Sequence, residues 1–507
     1  MNYRNHGAAR VKSRIIIGLS IAILVPCFAY GAWLFFTSVS LRTVRFEFTV
    51  DDPARFAALE LAAPEQLHDW TLNGRPVPVP FQGMLYDTIP AIPSSLLVRG
   101  KNILQVAMPF LPQFGFQSET KPTGEPFDLT PKYSWCTVRV SGLTSTSPCR
   151  FTIGPVLGYA GTDFFTVTCQ TNMPVPVHLE VNGRVLKSPA GAVHSWRVDG
   201  LQPGHDYEYR LIAVHPLTGT ATASGPHHVR TFPAGDELSF AACGDSRSNP
   251  EIWARIAALI QGQNPAFFIH TGDMVKEGLL YTDWLREMFE PAAGLLASVP
   301  LYPVIGNHEY NAGIFQRMFQ TSTDTTNWEQ RIGPAHIIGI NGELDWRTSG
   351  EPYAWLSGVL NRSTAPFIFL VTHYPPFSSS HHGKTSNDEP NEETARQCKD
   401  FILPLLVRYH VTAIIAGHSH SYERSELDGG VSLITTAGAG AGLMNKHEDA
   451  QEQNPYSKIF VKAFNITVFQ IHGATCEMKA LDLDGNVLDT RTWQARGMQP
   501  EQAEPKM

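Results

Sequence analysis

From residue 41 to about 233, apolar and polar positions alternate in short runs, the period of half-buried strands. Arg45-Phe46-Glu47-Phe48-Thr49-Val50 is one such run, and Ile103-Leu104-Gln105-Val106-Ala107 is another. Asn73-Gly74 and Arg99-Gly100-Lys101-Asn102 supply turn signals beside them. These features predict a β-sandwich over residues 41–148, with no function legible in its residues. Over 150–234 the runs recur as Phe164-Phe165-Thr166-Val167-Thr168, His178-Leu179-Glu180-Val181 and Tyr207-Glu208-Tyr209-Arg210-Leu211-Ile212, which predicts a second β unit. From Leu238 the pattern changes. Apolar strands now alternate with amphipathic helices, the signature of an α/β domain, here over 238–493. Asn249-Pro250 is a helix start, and Ile252, Ile256 and Ile260 then fall on one helix face. Strands over 466–471 and 477–483, with Asp484-Gly485-Asn486, close the domain, and the polar tail 494–507 is expected to be loose.

The N-terminus follows a different logic. Arg4, Arg10, Lys12 and Arg14 precede an apolar run over 15–36, and no acidic residue occurs before Glu47. About 20 apolar residues suffice to cross a bilayer as a helix. Basic residues ahead of such a span predict that 1–14 stays in the cytoplasm and that the rest of the chain is periplasmic or extracellular. A cleaved signal peptide, cut near Ala29-Tyr30-Gly31, is the competing reading. The apolar continuation Ala32-Trp33-Leu34-Phe35-Phe36 favours an uncleaved single-pass anchor, with the membrane as a partner. Seven cysteines, one of them Cys27 in the apolar run, leave six on the exported side. Cys136 and Cys149 are placed to bridge a Ser/Thr/Pro segment, and buried free thiols are the alternative. A net charge of -8 gives no basic face and no reason to expect a nucleic-acid partner. Nothing in the sequence sets the oligomeric state.

Five apolar strands of the α/β region run straight into metal-binding types of residue. They end in Gly244-Asp245, in His270-Thr271-Gly272-Asp273, in Gly306-Asn307-His308-Glu309, in His373 and in Gly417-His418-Ser419-His420. Ligands of open α/β sheets bind outside the carboxyl ends of the strands, so these groups would converge there. Each motif alone is weak: Gly-Asp is a common turn, and a lone histidine is usually structural. Gly-His-x-His is stronger, because alternate residues of an extended segment can serve two sites. All five in order predict a metal centre. His270 still lies in or near its strand and reads as a supporting or core residue.

The series resembles the signature of the calcineurin-like metallophosphoesterases. Gly417-His418-Ser419-His420-Ser421-Tyr422-Glu423-Arg424 narrows the resemblance to the purple acid phosphatase branch. The resemblance implies two mixed β-sheets packed together with helices outside, an α/β/β/α order, preceded here by two β-sandwich domains and one N-terminal transmembrane helix. Gly200 to Tyr207 and the closing Arg230-Thr231-Phe232-Pro233 resemble a fibronectin type III sandwich, which precedes the catalytic domain in plant-type relatives. The resemblance also implies ligand roles for two divalent or trivalent ions of iron, zinc or manganese. Asp273 would bridge both ions, Asp245 and His420 would hold one, and Asn307, His373 and His418 the other.

Two positions depart from the family pattern. Arg247 stands where most metallophosphoesterases have a histidine, and Lys276 where purple acid phosphatases have a ligand tyrosine. The first ion therefore lacks its usual fourth protein ligand, and without a phenolate the purple colour should be absent. Arg247 either holds a substrate phosphate with its planar fork or pairs with a local carboxylate. Two ions about 3.5–4 Å apart lower the pKa of a bridging water, so the implied reaction is attack of that hydroxide on the phosphorus of a phosphate ester. His308 and the pair His381-His382 are candidates to assist the leaving alkoxide, although two histidines in a polar loop can simply be solvated. The competing function is a surface binding or adhesion protein built on the β-sandwiches, with a weakened metal domain.

Overall fold

The central strands Phe267–His270, Phe367–Thr372 and Ala413–Ala416 of the α/β region are buried at every position and nearly all apolar, because both faces are covered. Phe240, Phe267, Phe369 and Ile415 share one core with Phe469, and Phe240 meets Phe369 edge to face at 5.4 Å. The alternate residues Ala241, Cys243 and Phe268 face outward onto a helix carrying Trp253 and Ile256. Ile368, Leu370 and Ile414 face Leu356, Val359 and Leu406 of other helices. The computed structural model, which describes residues 41–109, 139–310, 313–319, 326–383 and 393–496, is therefore a four-layer α/β/β/α domain with β-rich units ahead of it.

One sheet runs in the order Leu301–Pro303, Phe267–His270, Glu237–Cys243, Asn465–His472, Thr475–Asp482 and Val487–Gln494. Its first three strands are parallel and the remainder antiparallel. The other runs Trp328–Ile332, Ala335–Gly339, Phe367–Thr372, Ala413–Ala416, Ser432–Thr436, Tyr422–Glu426 and Ser457–Val461, with three parallel pairings at its centre. The five expected motif strands are all present in these two sheets. Helix Pro250–Gly262 begins where Asn249-Pro250 predicts, and the Asn249 side chain accepts from the Ile252 N–H at 3.3 Å.

Ahead of this domain, Phe151–Ala160, Phe164–Val175 and Gly191–Asp199 form one sheet. Arg184–Lys187, Val177–Val181, Asp206–Val214 and Ala221–Arg230 form the facing sheet, with Val167, Leu179, Val198 and Leu211 buried between the two. The Tyr207 hydroxyl accepts from the Gln202 N–H at 2.8 Å, which ties the turn to its strand. The first β unit is organised by one long strand, Phe56–Leu72. Its first part pairs with Tyr86–Pro93 and Arg139–Thr144, and its last part with Gly100–Pro109. Phe48, Leu59, Leu72 and Leu104 of this unit belong to the same core as Trp284 and Phe315 of the α/β domain.

One expectation is corrected. The tail is docked at its start, not loose from residue 494. Gln494 ends an added edge strand, Ala495 is buried, and the Arg496 guanidinium donates to the carbonyls of Ser363, Ala365 and Tyr409 at 2.9–3.0 Å. The apolar run 15–36 and Cys136 lie outside the described residues, while Cys149 is a buried free thiol. Among the described residues, no helix is long and apolar enough to cross a membrane.

Candidate metal centre

The chain turns sharply at the end of each motif strand, and three of the turning residues are strained. Asp245, Asp273 and His418 have φ of 61°, 57° and 69°, the left-handed region that residues with a Cβ rarely occupy. Such outliers collect at functional sites, where the surroundings hold them in place. Glycine makes the approach possible. A Cβ on Gly306 would lie 2.4 Å from Asp273 Oδ1, and one on Gly417 would lie 2.8 Å from Asp245 Oδ2.

All six predicted ligand residues meet at these turns. His373 Nδ1 donates to the Thr271 carbonyl at 2.8 Å, because a carbonyl can only accept. That fixes the ring and sends Nε2 into the site. There it lies 3.1 Å from Asn307 Oδ1, 3.4 Å from Asp273 Oδ1 and 3.2 Å from His418 Nδ1. On the other side, Asp245, Asp273 and His420 offer ligand atoms that all lie within 4.8 Å of one another. His420 Nδ1 donates to the Gly442 carbonyl at 2.9 Å, and its Nε2 lies 3.4 Å from Asp245 Oδ1. All but Asn307 are buried. Burial raises the carboxyl pKa of Asp273, but His373, His308 and Arg247 around it outweigh that and hold it well below the usual range.

Residues 238–422 match the calcineurin-like phosphoesterase family model. This region is a calcineurin-like phosphoesterase domain. Probable purple acid phosphatase 20 of Arabidopsis thaliana is 23% identical over 304 residues, covering 54% of this chain and 66% of that protein. Probable inactive purple acid phosphatase 9 of the same plant is 25% identical over 234 residues, covering 38% of this chain and 34% of that protein. The chain thus spans less than two thirds of the length of either relative. Purple acid phosphatase PPD1 from yellow lupin (Lupinus luteus) seeds shares the fold, with a TM-score of 0.60 at 16% identity over 90% of this chain and 93% of that one. The phosphoesterase domain is thus similar to purple acid phosphatases, a family that uses two metal ions. The donor set fits them: imidazole nitrogens, carboxylates and an amide oxygen suit iron, zinc or manganese. The facing nitrogens of His373 and His418, and the glycine-lined approach to Asp273 and Asp245, are what a cation would occupy.

The two departures land differently in the phosphoesterase domain. Arg247 is at the centre: its Nε lies 3.3 Å from Asp273 Oδ2. Lys276 is exposed, and its backbone carbonyl accepts from His308 Nδ1 at 2.6 Å. That bond leaves His308 Nε2 facing Asp273 Oδ2 at 3.8 Å. The two neighbouring histidines separate. The His382 ring sits 4.0 Å from the His418 ring, whereas His381 is exposed and lies between His382 and His447, at 6.0 and 6.5 Å. His270 is buried and supports the turn: it pairs with Ser246 Oγ at 3.0 Å and accepts from the Gly272 N–H. Burial brings its pKa down to about 4, so it is neutral.

Three carboxylates that hold the site were not identified from sequence. Glu309 accepts from the N–H groups of Asp273, Met274 and Gly306 at 2.9, 2.7 and 2.6 Å. Glu287 accepts from Ser248 and Lys276, which joins the loops that follow Asp245 and Asp273. Glu423 accepts from the Ser379 N–H, Asn454 Nδ2 and Ser457 Oγ, fixing the loop that leads to His382. Glu309 and Glu423 stand inside the quoted motifs, so their position was a signal. Glu287 had none.

Proposed function

We propose that the chain hydrolyses phosphate esters at two metal ions of iron, zinc or manganese, outside the cytoplasm and anchored by residues 15–36. The supporting observation is the meeting of Asp245, Asp273, Asn307, His373, His418 and His420 from five strand ends. In this reading Asp273 is shared, Asp245 and His420 hold one ion, and Asn307, His373 and His418 hold the other. When bound, such ions supply positive charge to the phosphoryl oxygens and make a bound water acidic.

The chain's own groups do the rest. Arg247 keeps Nε on Asp273 and turns its fork to a phosphoryl oxygen of the substrate. His308, held at Nδ1 by the Lys276 carbonyl, presents Nε2 to carry a proton to the leaving alkoxide. His382 stands over His418 at the entrance, with His381 farther out. The 150–234 sandwich is read as fibronectin type III-like, on its paired sheets and the Tyr207 corner.

The test is metal content together with turnover of p-nitrophenyl phosphate under Mn, Fe or Zn. Two ions per chain, a colourless protein and hydrolysis are expected. The three-ligand first site favours a second reading, in which the β units bind a surface partner and the metal domain is weakened. Metal-free protein with no turnover under any of these ions would select it.

A further inference from the structure

The loop that ends in Leu85 reaches from the first β unit to residues 279–281, just after the loop that follows Asp273. The Tyr86 hydroxyl closes this loop on itself, accepting from the Phe81 N–H at 2.8 Å and donating to the Phe81 carbonyl at 2.9 Å. Leu85 then pairs with the phosphoesterase domain like one residue of a strand. Its N–H donates to the Leu279 carbonyl at 2.7 Å, and its carbonyl accepts from the Tyr281 N–H at 3.1 Å. The Thr282 hydroxyl donates to the Asp87 carboxylate. Phe81 and Tyr86 pack their rings on Tyr281, whose hydroxyl accepts from Gln170 of the second β unit at 2.8 Å.

The segment clamped in this way is the one that aims His308. Lys276 offers its carbonyl to His308 Nδ1, and the Gly278 N–H donates to the His308 carbonyl at 2.8 Å. The Trp284 indole donates to the Gly278 carbonyl at 2.7 Å and braces the segment from below. Residues 276–278 thus hold both the ring and the backbone carbonyl of His308, while its N–H donates to Asp273 Oδ1 at 3.1 Å. That stretch ends one residue before Leu279, where the bonds to Leu85 begin.

We infer that the first β unit is a working part of the site: through Leu85 and Asp87 it holds the 276–282 segment in the position that aims His308 at the leaving-group oxygen. Leu85 is a positioning residue, and the inference rests on the phosphoesterase reading above. It gives residues 41–144 a role in the reaction where the competing reading gives them a separate binding function. A small misplacement of a group that must meet the substrate in line lowers the rate without changing which ligands hold the metals.

The test uses the full chain with metals bound and two esters that differ in leaving group. p-Nitrophenolate leaves without a proton, whereas the alkoxide of glycerol 2-phosphate needs one. Proline at 85 removes the N–H that bonds Leu279. Leu85→Pro is expected to lower kcat for glycerol 2-phosphate about tenfold. For p-nitrophenyl phosphate it should lower kcat less than about twofold, with KM and metal content unchanged. Asp87→Ala should act in the same direction, about threefold, and serves as the comparison if Leu85→Pro does not fold. Because Leu85 acts through His308, Leu85→Pro added to His308→Asn should cost nothing further. Equal losses on both esters, losses that multiply with His308→Asn, or parental rates in both variants would overturn the inference while leaving the phosphoesterase reading intact. If the parent hydrolyses neither ester, both fail together.

Discussion

Two arginine–aspartate pairs in the phosphoesterase domain look alike in a contact inventory and differ in every detail. Arg424 meets Asp489 with two nitrogens, at 2.6 and 3.2 Å, and sends the third to Glu426 at 2.6 Å. The Tyr422 hydroxyl joins the same carboxylate at 2.7 Å. Its strand lies in one sheet and Asp489 in the other, so this pair ties the two sheets together. Arg247 touches Asp273 through Nε alone, at 3.3 Å, and among the described residues its terminal nitrogens have no hydrogen-bond partner. The first guanidinium is used up by the fold. The second keeps a free fork beside the carboxylate on which the imidazoles converge, and this favours anion binding over simple pairing for Arg247.

The largest difference should appear when each aspartate loses its charge. Asp273→Asn is expected to lower turnover by at least about a thousandfold, because the group proposed to serve both ions is neutralised. Asp489→Asn should leave kcat and KM near the parental values. Steady-state kinetics on p-nitrophenyl phosphate compares the two, and equal losses would erase the distinction. Next comes what holds each aspartate. Asp273 is fixed through Glu309, which takes three backbone N–H groups that glutamine cannot all satisfy. Glu309→Gln should cost about 2 kcal/mol of stability and reduce turnover about a hundredfold. Denaturant unfolding and kcat check the two figures.

The arginines themselves should then part company. Arg247→Met is expected to weaken inhibition by inorganic phosphate about tenfold, with stability unchanged, since a fork-to-phosphate contact is lost and no structural bond of weight is broken. Arg424→Met should do the reverse: phosphate inhibition stays, and about 2 kcal/mol of stability goes, because Asp489 loses its bidentate cation and keeps only the Tyr422 hydroxyl, while Glu426 falls back on Ser432 and Arg491. A variant pair that shifts the same readout would show that Arg247 is only a local counter-ion.

How much of this could be read beforehand follows from where the information sits. The five motif strands were legible because each is apolar on both faces and ends at a polar group beside glycine, a pattern carried within a few residues. Arg247 was legible as a departure, but not the free fork that separates it from Arg424, which depends on distances between sheets. The strand Val487–Gln494 was missed because its burial is weak, with Val487 at 55% exposure. The Leu85–Leu279 contact uses main-chain groups, which every sequence possesses, so no residue type announces it. Glu309 accepts from the backbone of Asp273, 36 residues away, and nothing in a glutamate reveals which amides it will meet.

The smallest expected effect separates the pairs by acidity. Burial alone would raise the Asp489 carboxyl, but the Arg424 guanidinium and Tyr422 hydroxyl outweigh it and hold its pKa below the ordinary carboxylate value. A folded-state pKa below that of the unfolded chain means that the unfolded state takes up the proton first as pH falls. The stability from this pair is therefore complete above the ordinary carboxylate range and drains away as pH drops through the folded-state value. With a side chain only 10% exposed, the carboxylate is shielded from solvent, so the contribution is not lost to screening. As pH falls from roughly 5 to 3 the parent should lose more stability than Asp489→Asn does, measured by urea unfolding at saturating metal. The metal ligands titrate in both proteins and cancel in the difference. Parallel stability curves over that range would mean that Asp489 ionises in the folded chain as it does in the unfolded one, and the two pairs would then differ only in geometry.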